Sequence, residues 1–113
     1  MDEVRIVMKK VGEEPQVMKI KNTLEEKQKL VGGLIEIVPY PLDDEELLIV
    51  CNEEGKLLGQ KPNAVFDLDY IAGDFFVIGD DYKNGDFKSV TDKQIGKIIK
   101  DLNERSFKFE RSE

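Results

Sequence analysis

The sequence predicts an α+β fold: a mostly antiparallel sheet of about five to six strands with two helices packed on it. Short apolar runs bounded by glycine and proline follow one another without strict alternation of strands and helices. Only two segments begin with a capping threonine and continue with apolar residues at helical spacing. A chain of 113 residues suits one domain, 1–113, with a single core.

The first half of the chain is predicted to begin with a hairpin and a short helix. Apolar runs predict strands over 4–8 and 16–21, with a turn between them. Thr23 and Glu26 have capping-box spacing and predict the start of the first helix. The pair Gly32-Gly33 predicts its end, because glycine tolerates the left-handed conformation of a helix stop.

Two strands are predicted in the middle of the chain, over 34–40 and 47–51. The second is the most apolar run and is expected to be central, with both faces covered. A turn over 52–55 is expected to lead into a returning strand at 56–58. The segment 64–66 is predicted to be either a short helical piece or an extended one.

The last third is predicted to contain a strand over 75–78 and the second helix. Thr91 and Gln94 form another capping-box pair, and the helix has the clearest apolar stripe of the chain, consisting of Ile95, Ile98, Ile99 and Leu102. Gly96 weakens this helix, and a close approach of helix and sheet would explain it. Residues 104–113 are expected to be either a flexible tail or an edge strand that includes Phe107 and Phe109.

The net charge argues against direct nucleic-acid binding. Seventeen Lys and Arg against 24 Asp and Glu give 17 − 24 = −7, whereas binding to phosphates needs a basic face. No apolar run is long enough to span a membrane, and no signal peptide is apparent, so a cytoplasmic location is expected.

The chain lacks the side chains on which common catalytic and metal sites depend. It has no His, and its one cysteine, Cys51, follows an apolar run and is expected to be a small buried hydrophobe. We therefore predict no catalytic residue, no metal site and no cofactor.

Two acidic segments are candidates for metal sites, and in both the structural interpretation is preferred. The run 80–86 resembles a calcium loop, but Tyr82 and Thr91 stand where ligands are needed, so a solvated turn is expected. Asp67 and Asp69 would lie on one side of an extended segment, and a polar edge is the preferred interpretation over a divalent-ion site.

Three groups of residues are candidate binding positions. The acidic run Asp43, Asp44, Glu45 and Glu46 is either a solvated loop or a contact surface for a basic partner. The aromatic residues around Phe75 and Phe76 are expected mostly to belong to the core. Because these two point to opposite faces of a strand, Phe76, with the nearby Tyr82, is also a candidate contact for a ligand or subunit. The amide of Asn63, in an irregular segment, is a candidate for a ligand pocket.

Several segments resemble a family of small proteins known only as a domain of unknown function. They are 31–36, 51–57, 62–63, 71–79 and 89–92, and the similarity extends over residues 4–103. The resemblance implies an origin in phages, plasmids and conjugative elements of Gram-positive bacteria, and supplies no catalytic residue. Family members often carry an arginine after the Pro-Asn turn, whereas Ala64 follows Asn63 here.

These observations favour a non-catalytic binding protein of a phage or mobile element. It would antagonise a host target, either a defence protein or its small nucleotide signal, by binding or sequestration. The sequence leaves three different functions open: an acidic nucleic-acid mimic, a small metal-dependent enzyme that uses carboxylates, and a structural homodimer. A homo-oligomer is equally compatible with the binding function.

Overall fold

The computed structural model describes residues 2–42 and 46–107. Within these residues, eight strands and two helices follow the order ββαββββββα along the chain. They are β1 (Glu3–Lys9), β2 (Gln16–Lys21), α1 (Leu24–Val31), β3 (Ile35–Pro39), β4 (Leu47–Asn52), β5 (Pro62–Phe66), β6 (Asp69–Ala72), β7 (Phe75–Asp81), β8 (Asp86–Lys88) and α2 (Asp92–Arg105). The predicted α+β class is confirmed.

The main sheet has six strands, and all of its pairs are antiparallel. Five strands lie in the order β2-β1-β7-β4-β3, and β8 pairs with the second half of β7. Strands β5 and β6 form a separate two-stranded hairpin. The most apolar strand, β4, lies inside the sheet as predicted, but β7 rather than β4 occupies the middle position.

One helix covers each face of the sheet. Because side chains alternate along a strand, β7 sends Phe75 to one face and Phe76 to the other. The Phe75 face packs against Ile98 and Leu102 of α2, and the Phe76 face packs against Val31 of α1. The two faces therefore have separate apolar cores, and both need the same central strand.

Both helices begin at the predicted threonines. Thr91 and Gln94 make the full capping box at the start of α2. At α1, the Thr23 hydroxyl accepts a hydrogen bond from the Glu26 backbone N–H, while the N–H of Thr23 donates to the Lys21 carbonyl. Gly32 ends α1 in the left-handed conformation, at φ 79°.

The predicted returning strand at 56–58 is wrong. Residues 53–59 form a series of turns, in which Leu58 N–H donates to Glu54 O and Gly59 N–H to Lys56 O. The next strand, β5, pairs with β6 and not with β4, and in it 64–66 is extended rather than helical. Strands β6 and β8 are four and three residues long, too short to stand out as apolar runs.

The end of the chain is partly described. Glu104 and Arg105 belong to α2, Ser106 forms a single bridge to Ala64, and the N–H of Phe107 donates to Asn63 O at 2.7 Å. The predicted tail strand at 107–109 continues outside the described residues. In the part of the chain that is described, neither helix is long and apolar enough to cross a membrane.

The interpretation of Gly96 as a point of close helix–sheet contact is wrong. A Cβ built at Gly96 meets nothing within 4 Å, and the residue is exposed on the outer face of α2. Gly96 therefore weakens the helix without a packing reason.

We predict that Gly96→Ala raises the free energy of unfolding by about 1 kcal/mol, because alanine loses less backbone entropy in a helix than glycine does. Urea denaturation followed by circular dichroism measures the change. Gly12→Ala is the control: its surroundings are equally open but its φ is 74°, so this variant should lose stability. A loss of stability in Gly96→Ala would show that Gly96 has a packing role in α2.

Candidate functional site

A cleft of about 420 Å³ separates the β5–β6 hairpin from strands β3 and β4. We call it the acidic cleft. Its floor and walls are apolar and include Val38, Ile49, Cys51, Phe66 and Ile71. Its rim carries five carboxylates and one ammonium group, contributed by Glu36, Glu53, Glu54, Asp67, Asp69 and Lys56. The formal charge of the rim is 1 − 5 = −4.

A network of aromatic and charged groups fixes the inner wall of the acidic cleft. The Phe66 ring makes edge contacts with the rings of Tyr40 and Phe75, each at 6.3 Å between centroids. The Arg105 guanidinium lies 4.6 Å from the centre of the Phe66 ring and donates to Asp101 at 2.7 Å. The wall is therefore held from behind by α2.

Two buried groups beside the acidic cleft have raised pKa values and remain protonated at neutral pH. Tyr40 donates its hydroxyl to Asp101, and burial together with that carboxylate raises the pKa of the phenol. Burial, and secondarily the Glu36 carboxylate, raises the pKa of the Cys51 thiol to about 11. Cys51 is the small buried residue that the sequence predicts, and its thiol form is a poor nucleophile.

The rim holds one ion pair. Lys56 donates to Asp69, and its ammonium group lies 4.5 Å from the centre of the Tyr70 ring. The hydrogen bond from Lys56, followed by the backbone N–H of Tyr70, lowers the pKa of Asp69. The other four rim carboxylates make no ion pair within the described part of the chain, so the rim is left with uncompensated negative charge.

Large apolar side chains are exposed at the mouth of the acidic cleft. Leu57, on the turns after β4, is 85% exposed, and Leu68, at the tip of the β5–β6 hairpin, is fully exposed. Exposed apolar side chains gathered beside a cleft are typical of surfaces that bind other molecules.

Asn63 lies outside the acidic cleft, and both N–H groups of its amide already donate within the protein. The side chain is buried. Its Oδ1 accepts a hydrogen bond from the Lys9 ammonium at 2.9 Å, and its Nδ2 donates to Lys9 O and Gly73 O, both at 2.9 Å. The prediction of a ligand-binding Asn63 is therefore replaced by a structural role: Asn63 joins β5 to β1 and to the turn before β7.

Lys9 completes this buried cluster. Its side chain is fully buried, and its ammonium also donates to Lys10 O at 3.0 Å. Burial lowers its pKa, against the opposing effect of the Asp74 and Glu13 carboxylates. The amide oxygen of Asn63 is thus one of two acceptors that make a buried ammonium group tolerable.

Three of the segments that carry the family resemblance, 31–36, 51–57 and 71–79, contact one another. Asn52 Nδ2 donates to Val31 O at 3.1 Å, and Asn52 Oδ1 accepts from the N–H of Glu54 at 2.7 Å. A Cβ at Gly55 would lie 2.6 Å from the carbonyl oxygen of Ala72. These motif residues allow the turns to pack closely. They therefore have structural roles and do not by themselves indicate a catalytic or ligand-binding site.

Phe76 and Tyr82 do not form one contact surface. Phe76 is fully buried in the core beneath α1, so the prediction that it contacts a ligand or subunit is wrong. Tyr82 is 61% exposed in the β7–β8 turn and does not line the acidic cleft. It also lies outside a second cleft, of about 430 Å³, at the C-terminal end of α1.

The acidic run before β4 is only partly described. Glu46 pairs with Lys88 at 3.4 Å on the surface. Asp43, Asp44 and Glu45 lie outside the described residues. They connect β3 to β4, the two strands of the main sheet that line the acidic cleft.

Neither candidate metal site is assembled. Residues 80–86 form the end of β7, a turn and the start of β8, in which Asn84 donates to Asp81 at 2.9 Å. Asp67 adopts the left-handed conformation at φ 55°, and Asp69 is engaged by Lys56. Among the described residues, no group of three or more His, Cys, Asp and Glu side chains is placed to hold a metal ion.

The acidic cleft itself does not follow from the sequence patterns. Its carboxylates come from three separate segments, and only the β5–β6 hairpin, which those patterns do not predict, brings them together. The one signal in the sequence is the presence of acidic residues within and after apolar runs, at Glu36 and at Glu53-Glu54.

Comparison with known families gives one match. The chain belongs to the family described as a domain of unknown function, DUF3846, which matches residues 4–103. No curated protein and no solved structure matches the chain.

We predict that Asn63→Ala lowers the free energy of unfolding by about 3 kcal/mol, since it removes one of the two acceptors of the Lys9 ammonium and the side-chain donor to two carbonyls. Urea denaturation measures the loss. Lys61→Ala, at an exposed position two residues earlier, is the control and should change stability little. In the Lys9→Met background, where the ammonium is gone, the cost of Asn63→Ala should shrink. Equal costs in both backgrounds would contradict the assignment.

Proposed function

We propose that this protein is a non-catalytic binding protein whose acidic cleft takes up a basic, partly apolar segment of a partner protein. The observation that carries the proposal is the combination of an apolar floor with a rim of five carboxylates and one ammonium group. An apolar floor favours an aliphatic or aromatic anchor, and the rim favours Lys or Arg beside it. Exposed Leu57 and Leu68 extend the apolar contact beyond the cleft.

The charge of the rim separates the two classes of ligand that the sequence leaves open. A nucleotide carries phosphates, which the uncompensated carboxylates Glu36, Glu53, Glu54 and Asp67 would repel. The second cleft, about 430 Å³, contains Lys29 and Lys61 but also Asp74, and the C-terminal end of α1 faces it with Val31 and Gly32. A helix C-terminus disfavours anions. A basic protein segment is therefore the better supported ligand.

The biological setting belongs to the same proposal. The family resemblance supports a phage or mobile element as the source of the gene, and a host protein, in the cytoplasm, as the target that the protein would antagonise. Occupying a basic surface of the target would be sufficient for this, since no reaction is required.

A nucleic-acid mimic, a carboxylate enzyme and a tail-mediated homodimer have less support. A mimic needs carboxylates that imitate the spacing of phosphates, whereas the rim includes Lys56 and surrounds an apolar floor. An enzyme of this kind would use Asp67 and Asp69, and Lys56 engages one of them. A homodimer through the tail competes with the contacts that Ser106 and Phe107 make to β5 of the same chain.

We predict that selection from a displayed library of random dodecapeptides enriches sequences with Lys or Arg next to aliphatic or aromatic residues. The double variant Glu36→Gln/Glu53→Gln should weaken the enriched peptides about tenfold, because it removes two carboxylates that face the bound cation. Fluorescence anisotropy of a labelled peptide measures the affinity.

The matched control is Glu3→Gln/Glu14→Gln, which removes the same charge from exposed positions outside the cleft. Its affinity should stay within about twofold of the parent protein, apart from the small effect of net charge. Enrichment of acidic peptides, or equal weakening by the two double variants, would overturn the proposed function.

A further inference from the structure

The outer edge of β3 carries backbone groups that no strand of the described chain pairs. β3 is the last strand of the main sheet, and its pairing with β4 places Tyr40 opposite Leu47 and Leu34 opposite Glu53. The N–H of Tyr40 donates to Leu47 O at 3.0 Å, and the N–H of Glu53 donates to Leu34 O at 2.8 Å. Even-numbered residues of this segment therefore direct their N–H and C=O groups toward β4.

The odd-numbered residues of β3 direct theirs outward, because hydrogen-bonding direction alternates along an antiparallel strand. Ile35 and Ile37 each offer an N–H and a C=O at the outer edge, and Pro39 offers a C=O alone. The proline limits pairing at one end of the strand, a common protection of sheet edges. Within the described structure, the N–H and C=O groups of both Ile35 and Ile37 therefore remain available to pair with another strand.

The side chains of β3 differ between its two faces. Glu36 and Val38 face the acidic cleft and line it. Ile35 packs against the core beneath α1, and Ile37 lies on the same side of the strand with 43% of its surface exposed. A strand added at this edge would therefore meet a carboxylate on one face and isoleucine on the other.

We propose that the partner segment binds as an added antiparallel strand on the outer edge of β3, with alternating basic and apolar residues. This inference rests on the proposed function and names the form of its ligand. The apolar residues lie opposite Ile35 and Ile37 as hydrogen-bonded pairs. The basic residues lie opposite Glu36 and Val38, where non-hydrogen-bonded pairs bring side chains closest. Their aliphatic stems supply the apolar contact with the cleft at Val38, and their charged ends reach the rim carboxylates.

In this binding mode the edge of β3 and the adjacent acidic cleft act on the same bound segment. Backbone hydrogen bonds to Ile35 and Ile37 supply affinity without regard to sequence, and the rim supplies the preference for cations. The paired segment is short because Pro39 ends the pairing after the few residues that run beside Glu36.

The test uses a synthetic heptapeptide that alternates lysine and valine, acetylated and amidated at its ends, with the full-length protein. In the free protein the amide protons of Ile35 and Ile37 should exchange quickly with solvent, while those of Glu36 and Val38 are slow because they pair with β4. Saturating peptide should slow the exchange of Ile35 and Ile37 at least about tenfold and leave Glu36 and Val38 slow. Nuclear magnetic resonance of the amide protons resolves the four residues.

Two modified peptides leave the protein unchanged and test the direction of the bonds. N-methylation of the valines removes the donors that face β3, so binding should fall at least about tenfold. N-methylation of the lysines alters only the outward edge of the peptide and should keep the affinity within about threefold. If the two modified peptides bind equally, or if Ile35 and Ile37 remain unprotected, the added-strand mode is overturned.

The outcomes separate this inference from the proposed function. If the library peptides depend on Glu36 and Glu53 while Ile35 and Ile37 stay unprotected, the acidic cleft binds its ligand in another conformation, and only the strand mode fails. If neither the heptapeptide nor any basic library peptide binds, both fail together. If a peptide of alternating glutamate and valine also protects Ile35 and Ile37, strand addition at β3 is supported. The preference of the rim carboxylates for basic residues is then overturned.

Discussion

The position of the β5–β6 hairpin over the main sheet, and with it the acidic cleft, depends on one buried amide. Asn63 accepts a hydrogen bond from the fully buried Lys9 and donates to the carbonyls of Lys9 and Gly73, so it joins the start of β5 to the end of β1 and to the turn before β7. The β5–β6 hairpin is a separate sheet with no strand pairing to the main one. Its position over the sheet is therefore fixed by this amide at its base and by the Phe66 and Arg105 contacts farther along.

The acidic cleft follows from how the hairpin is held. Because the hairpin is anchored at its base and at Phe66, the space between it and β3–β4 stays open, with an apolar floor that includes Ile49 and Cys51. The tight turns around Gly55 bring Glu53 and Glu54 to the rim. The buried amide and the tight turns thus build the frame, and in the proposed function the carboxylates and exposed leucines that it presents contact the partner.

The fold is more predictable from the sequence than the site, for physical reasons. Strands β1 to β4 and β7 and both helices are long or strongly capped, and their apolar spacing is a local property. The β5–β6 hairpin is not defined by such a local property, because β5 and β6 have few buried residues. Its position depends on the contact between Asn63 and Lys9, which are 54 residues apart in sequence. The expectation for Phe76 fails because a strand covered by helices on both faces has no exposed side, and no local pattern shows which helix lies where.

The most direct test of the proposal that a basic segment binds along the acidic cleft, beside the edge of β3, is site-specific photo-crosslinking. Benzoylphenylalanine is placed at Leu57, at the mouth of the acidic cleft, or at the exposed Val17 on β2, the opposite edge of the sheet. A basic peptide selected as a binder should crosslink at position 57 and not at position 17, and unlabelled peptide should compete. Crosslinking at position 17 alone, or equally at both, would contradict the account.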